Sequence, residues 1–313
     1  ELLPAAFPGD KTARPPRMLE VSALKEGYSD EFRTRPSRGH YCRPKSCACP
    51  IPFAGVIGCL FGLALACEPK PVIGTWACPQ AISSERTDAA ISLSGEPFVL
   101  PWSTGFEDGF CDYALVGGHC YADGLATYEI VSSPVHSGQR AAAFKVVADD
   151  SLSNYQSRCV REGTLPTAAY YGAWYFIPFA NDSTSLWNLI HFQGGSSASD
   201  TFEGTWDVSM VNRDDGGLRL SVYDFVNVET PDTTDAPPIP IGSWFHLEVY
   251  LKRAADATGE FVVFQDGATV LHLSGLATDK SKWGQVYIGN FALHLDPDES
   301  TLYVDDITIS TTH

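Results

Sequence analysis

The chain has 313 residues, 44% of them hydrophobic, with 21 Lys and Arg against 38 Asp and Glu, for a formal net charge of −17. That is enough apolar chain to bury one substantial core, and length alone allows two domains. Residues 1–50 hold 9 basic and 6 acidic residues, so the rest of the chain carries the whole acidic excess; such a body excludes nucleic acid, whose phosphates require a basic footprint, and suits an extracellular protein or a binder of cations.

Residues 1–50 are rich in Pro and Arg, show no sustained periodicity, and read as a disordered or non-native leader. Their cysteines, Cys42, Cys47 and Cys49 in "CRPKSCAC", have no Cys or His pair downstream at zinc-finger spacing. Residues 51–67 follow the layout of a signal peptide. Arg43 and Lys45 precede an apolar run from Ile51 to Ala66, and small residues close it. The run is too short and too marked by Pro and Gly for a transmembrane helix. Its end, "LALAC", resembles a bacterial lipobox, which makes Cys67 the lipidated first residue, although Leu63 stands one place early. "VIGC", ending at Cys59, fits the pattern better but leaves almost no apolar run before it. The alternative is a plain signal peptide with Cys67 unmodified. Both readings place the protein outside the cytoplasm, secreted or lipid-anchored to a bacterial membrane. Residues 68–94 read as a linker.

From residue 95 to residue 313 the pattern changes to short alternating strands separated by Gly, Asp, Asn and Pro turns, as in "RAAAFKVVA", "YYGAWYFIPF", "LRLSVYDF" and "WFHLEVYLKR". No long stretch has helical period, so this region is predicted to be an all-β sandwich. "FQDGATVLHL" predicts a hairpin with Asp266-Gly267 at the turn. Cys78, Cys111, Cys120 and Cys159 allow two disulfides, with Cys111–Cys120 the easiest pair to imagine and the pairing left open. "VGGHC" is Gly-rich, but no helix follows it to hold a phosphate.

Two strands carry unusual polar residues. In "SLWNLIHFQGG", period-two alternation puts Trp187, Leu189, His191 and Gln193 on one face and Leu186, Asn188, Ile190 and Phe192 on the other. A His and a Gln side by side on an apolar strand are either satisfied structural groups or groups that face a ligand. In "SWFHLEVYLK", Phe245, Leu247, Val249 and Leu251 form an apolar face. Trp244, His246, Glu248 and Tyr250 form the other face, whose rings and polar groups suit sugar binding or, alternatively, edge packing. Tyr170, Tyr171, Trp174 and Tyr175 are aromatic on both faces, so most of them belong to the core.

Several of these segments resemble the concanavalin A-like lectin/glucanase superfamily. "IPIGSWFHLEVYLKRAADATGEFVVFQDGATVLHLSG" is similar to the strand and "QDG" hairpin of laminin G-like modules and jelly-roll polysaccharide lyases. "FEDGF" and "LYVDDITIS" are similar to the first and last strands of carbohydrate-binding jelly rolls. The resemblance implies a concanavalin A-like β-sandwich, a jelly roll, over residues 95–313. It also brings three chemistries to test. The glucanase branch needs Glu-x-Asp-x-x-Glu on one strand, which is missing; "DPDES" has the acids at the wrong spacing, so glycoside hydrolysis is not expected. The lyase branch performs β-elimination beside a uronate carboxylate and needs a neutralising group, a base and an acid. In alginate and glucuronan lyase-like jelly rolls these come from an Arg-rich strand, a "QIH" strand and a Tyr strand. Here "SRCVRE" keeps Arg161 and Glu162, with Ser157 where the first Arg would stand. "IHFQ" keeps His191 and Gln193 in reversed order. "VYIGNFAL" has Phe291 in place of the Tyr, and Tyr287 shares its parity. Tyr171, Tyr175 and Tyr223 are further sources of a phenol. Arg161 and Glu162 point to opposite faces, which makes Arg161 the site residue and Glu162 a surface one. The resemblance also brings the first and last strands together, where Glu107, Asp305 and Asp306 supply the oxygen ligands of a structural Ca²⁺; a solvated acidic strand end is the alternative.

The sequence therefore leads to an exported, polysaccharide-recognising β-sandwich with Trp244, His246, Glu248 and Tyr250 in the sugar-binding face. A polysaccharide lyase using His191, Gln193, Arg161 and Tyr287 is the alternative reading, and a surface or adhesion domain without a sugar site the second. The expected partners are a polysaccharide and, through Cys67 alone, a membrane.

Overall fold

The computed structural model describes residues 100–114, 118–149, 152, 154–195, 203–279, 281 and 283–313. The leader, the signal-peptide region with Cys59 and Cys67, and the 68–94 linker lie outside the described residues. Within them, two antiparallel sheets face each other. One runs in the order β12 (Ala268–Leu276), β11 (Gly259–Gln265), β10 (Trp244–Lys252), β6 (Ala168–Phe176), β14 (Glu299–Ser310), β4 (Ala141–Val147) and β3 (Thr127–Val131), with β1 (Trp102–Thr104) also paired to β14. The other runs β2 (Gly118–Ala122), β5 (Tyr155–Gly163), β13 (Trp283–Asp296), β7 (Asp182–Gly195), β8 (Glu203–Asn212) and β9 (Leu218–Asp224).

Alternation decides which side of each strand is buried. In β10, Phe245, Leu247, Val249 and Leu251 are buried, while the residues between them are half-buried on the outer side. They meet residues from the six-stranded sheet in one shared core. Trp206 stacks on Phe261 at 4.0 Å between ring centroids, and Tyr171 meets Phe192 edge-on at 5.0 Å. Two polar side chains enclosed there are paired, which removes the cost of burying them bare. Tyr175 donates its hydroxyl proton to the Leu189 carbonyl at 3.0 Å, and Trp187 Nε1 donates to Asn290 Oδ1 at 3.0 Å. The Asp266-Gly267 hairpin forms as expected between β11 and β12, with φ of 51° and 78°, the left-handed values such a turn requires.

Two expectations are corrected. Cys120 is bonded to Cys159, its cross-strand neighbour between β2 and β5, and not to Cys111, which is itself disulfide-bonded. The period-two reading of β7 holds from Ile190 to Gln193 but fails upstream. A register shift between Asn188 and Ile190 turns Asn188 onto the face of His191, while Trp187 enters the core. An extra residue in one strand inverts parity beyond it, and alternation in sequence does not announce where it falls.

Candidate active site

Residues directly opposite each other on antiparallel strands share a face, so register defines the outer face of the six-stranded sheet. One line across it runs Tyr223 on β9, Asp207 on β8, His191 on β7, Tyr287 on β13 and Val160 on β5. The next line holds Gln193, Gln285 and Glu162, and Arg158 lies across β13 from Gly289 on the other side. The alternate residues, Ile190, Phe192, Trp206 and Val208, are core. His191 and Gln193 thus share a face, with Tyr287 between β7 and β5.

His191 is fully buried. Its Nδ1 is hydrogen-bonded to the buried carboxylate of Asp207, and Asn188 Nδ2 donates to the same oxygen at 2.7 Å. A carboxylate on Nδ1 fixes that nitrogen as the protonated one and makes Nε2 the basic one, an assignment from partners and not from observed hydrogens. Phe225 packs edge-on to the His191 ring at 6.1 Å. This approach depends on Gly204: a Cβ there would lie 3.3 Å from both His191 Cε1 and the Phe225 ring.

The Tyr287 ring lies 5.6 Å from that of His191. Its hydroxyl is 2.6 Å from Gln285 Oε1 and 3.3 Å from Gln193 Oε1, and Gln285 Nε2 donates to Glu162 Oε2 at 2.7 Å. Burial holds the Tyr287 phenol well above the usual range, so it keeps its proton at neutral pH. The Arg158 guanidinium stacks over Tyr287 and Phe291 at 4.5 and 4.7 Å from their centroids, and its Nη2 donates to Gln156 Oε1 at 2.5 Å. A cation, a pinned imidazole and a protonated phenol therefore share one face.

Several sequence expectations are redistributed. Arg161 is on the opposite face of β5, buried against the core side of the sheet. Its guanidinium lies 4.0 Å from the centroid of Trp102, and burial lowers its pKa to about 10. Arg158 occupies the polar face in its place, and Glu162, expected at the surface, hydrogen-bonds within the network. The signal was present in "YQSRCVRE", where Gln156, Arg158 and Glu162 share parity and Arg161 does not. Asp207 also escaped the sequence reading, because a single Asp in "TWDVSM" gives no sign of what lies across from it. Tyr171 and Tyr175 are core residues whose phenols burial raises. Trp244, His246, Glu248 and Tyr250 do not join His191, because β10 belongs to the other sheet and the core separates the two.

Glu107, Asp305 and Asp306 gather around one loop without converging. Glu107 Oε1 accepts the backbone N–H groups of Gln139 and Arg140 at 2.7 and 3.1 Å. Asp305 Oδ2 accepts those of His136 and Ser137 at 2.9 and 3.2 Å, and Asp306 Oδ2 lies 2.7 Å from His136 Nδ1. Among the described residues no three His, Cys, Asp or Glu side chains are grouped to hold a metal ion. The carboxylates do not fit a shared calcium in this arrangement and act as anchors of the loop.

No protein-family model and no curated protein matches this chain. Among solved structures, an endo-β-1,4-glucuronan lyase from the fungus Trichoderma reesei matches with a TM-score of 0.52 at 16% identity, covering 67% of this chain and 95% of that one. The fold is a β-sandwich jelly roll. The cellulose-induced protein Cip1 matches at TM-score 0.46 and 17% identity, covering 67% and 97% of the two chains. An alginate lyase from Aplysia kurodai matches at 0.43 and 11%, covering 67% and 98%. Identities this low establish architecture alone, and activity has to be argued from the side chains.

Proposed function

We propose that the protein binds a uronate-containing polysaccharide across the outer face of the six-stranded sheet and cleaves it by β-elimination. The observation that carries this reading is the pairing of His191 with the Asp207 carboxylate beside Tyr287 and Arg158. The glucuronan lyase activity named for the structural neighbour agrees with it.

The chemistry needs three functions. Arg158 faces the uronate carboxylate and offsets the negative charge that builds on it as the C5 proton leaves. His191 Nε2 accepts that proton, and Asp207 stabilises the imidazolium that forms. The C4–O4 bond breaks as the C4–C5 double bond forms, and the Tyr287 hydroxyl protonates the departing O4. Gln193 and Gln285 hold the phenol and contribute amide groups to sugar hydroxyls. His191, Arg158, Gln193 and Tyr287 are all buried, so substrate reaches them only if this face opens, with the Phe225 ring among the groups that must move. The Cys120–Cys159 disulfide supports an oxidising, extracytoplasmic setting, in keeping with secretion or an anchor at Cys67.

The test is a panel of uronic-acid polysaccharides assayed for the ultraviolet absorbance of unsaturated uronate products. Absorbance from at least one polymer is expected, and none from His191→Ala. Binding without absorbance across the panel replaces the lyase reading with that of a recognition module. That second reading is favoured by Phe291, which occupies the position where a Tyr would supply an acid, and by the closure of Phe225 over His191.

A further inference from the structure

Four strands of the eight-stranded sheet present a continuous outward line: Tyr170 on β6, Tyr250 on β10, Val262 on β11 and His272 on β12 are cross-strand partners in turn. The rings of Tyr170 and Tyr250 lie 4.8 Å apart at 40°. With Phe264 and Glu260 they line an open cavity of about 340 Å³. At one rim His272 Nε2 is 2.8 Å from Glu260 Oε1.

We propose that this cavity is a second glycan site, specific for an uncharged sugar unit and separate from the uronate site on the opposite side of the sandwich. Its volume lies in the range of small-ligand sites, about 300–1,000 Å³. Aromatic rings set across adjacent strands offer flat apolar surfaces to the C–H faces of a pyranose, and the Glu260–His272 pair offers an acceptor and a donor to its hydroxyls. Charge selects the occupant. Glu260 lines the cavity with Lys252 opposite it on β10, while Glu248 on the neighbouring row is 3.0 Å from His313 Nδ1, whose ring meets Tyr170 and Phe264 edge-on at 5.2 and 5.1 Å. A uronate brought here meets the Glu260 carboxylate, whereas a neutral sugar uses it as a hydrogen-bond acceptor. The other end of the same face is already filled: His136 stacks on Trp174 at 3.8 Å and meets Trp244 edge-on at 5.7 Å. The loop carrying His136 is the one tied down by Glu107, Asp305 and Asp306. This divides the polar side of β10, with Trp244 and His246 packed under the loop and Tyr250 beside an open cavity. The inference does not depend on the lyase reading.

Calorimetric titration of the folded protein with neutral β-glucan and mannan oligosaccharides and with an oligoglucuronate tests it. A neutral oligosaccharide is expected to bind wild type, with affinity about tenfold weaker in Tyr250→Ala and in Glu260→Gln and unchanged in His191→Ala. Melting curves check the fold of each variant. If Tyr250→Ala unfolds, the partly exposed Glu260→Gln decides. Failure of every neutral sugar to bind wild type overturns the proposal, as does unchanged binding in Glu260→Gln. Loss of binding in His191→Ala also overturns it, by placing the ligand on the other face.

Discussion

The outer face of the six-stranded sheet and that of the eight-stranded sheet both carry rings and ionisable groups, but they handle them differently. On the first, the polar groups are buried and hydrogen-bonded to one another: Asp207 to His191 and Asn188, Tyr287 to Gln285, Gln285 to Glu162. On the second, rings pack in pairs, Tyr170 tilted against Tyr250 and His136 stacked on Trp174, and the hydrogen-bonded contact of His272 with Glu260 is partly exposed. A buried, hydrogen-bonded network holds its groups in one orientation at low local dielectric, which is what proton transfer requires. Half-buried rings with few hydrogen bonds offer surface and little orientation, which suits contact. The comparison teaches that residue composition does not separate the two faces, whereas burial and mutual hydrogen bonding do.

The largest effect that can break this comparison comes from His191→Ala. Product formation is expected to fall by about 10²–10⁴-fold, the usual contribution of a positioned base. Asp207→Asn keeps the shape but loses the charge behind the imidazole, so kcat drops and the acidic limb of the pH profile moves while KM changes little. Equal activity in wild type and His191→Ala would remove the distinction between the faces.

The two arginines of β5 sharpen it next. Arg158→Gln is expected to cost activity by far more than the stability it loses with its stacking on Tyr287 and Phe291 would explain. Arg161→Ala, which loses a stacked cation and its packing against Trp102, is expected to cost stability by about 2 kcal/mol and leave the activity of the folded protein alone. Denaturant titration paired with the absorbance assay reads both, and the opposite pattern would return Arg161 to the active face.

Tyr287→Phe tests the proton donor and carries a pH signature. It is expected to slow product formation by about 10²-fold. Burial raises the phenol above its ordinary value near 10. A group raised in the folded state adds stability that is complete below its unfolded pKa and is lost as pH climbs through the folded one. The variant should therefore lose less stability than wild type above about pH 10. Tyr113, Tyr171 and Tyr175 are raised in the same way, so Tyr287 accounts for a fraction of the alkaline decline.

The smallest effect is expected from calcium. Since Glu107, Asp305 and Asp306 spend their oxygens on the 136–140 loop, melting midpoints with calcium and with chelator should nearly coincide. A midpoint several degrees higher with calcium would mean that the loop rearranges to admit the ion, by linkage of binding to the native state.

Local pattern by itself determined the fold class. Alternation in β10, the Asp266-Gly267 turn and the absence of helical period require strands closed into a two-layer core, because each is a short-range consequence of which side chains avoid water. It also placed His191 and Gln193 on one face. Only tertiary structure decided what stands beside them. Register brought Asp207 from β8 and Tyr287 from β13 to His191, and these residues lie too far apart in sequence for any local rule to join them. The shift at Asn188 reversed parity upstream, and assignment to opposite sheets carried Trp244 and Tyr250 away from His191. Each of these outcomes depends on pairing between distant strands, where one residue of offset exchanges the core face for the outer one.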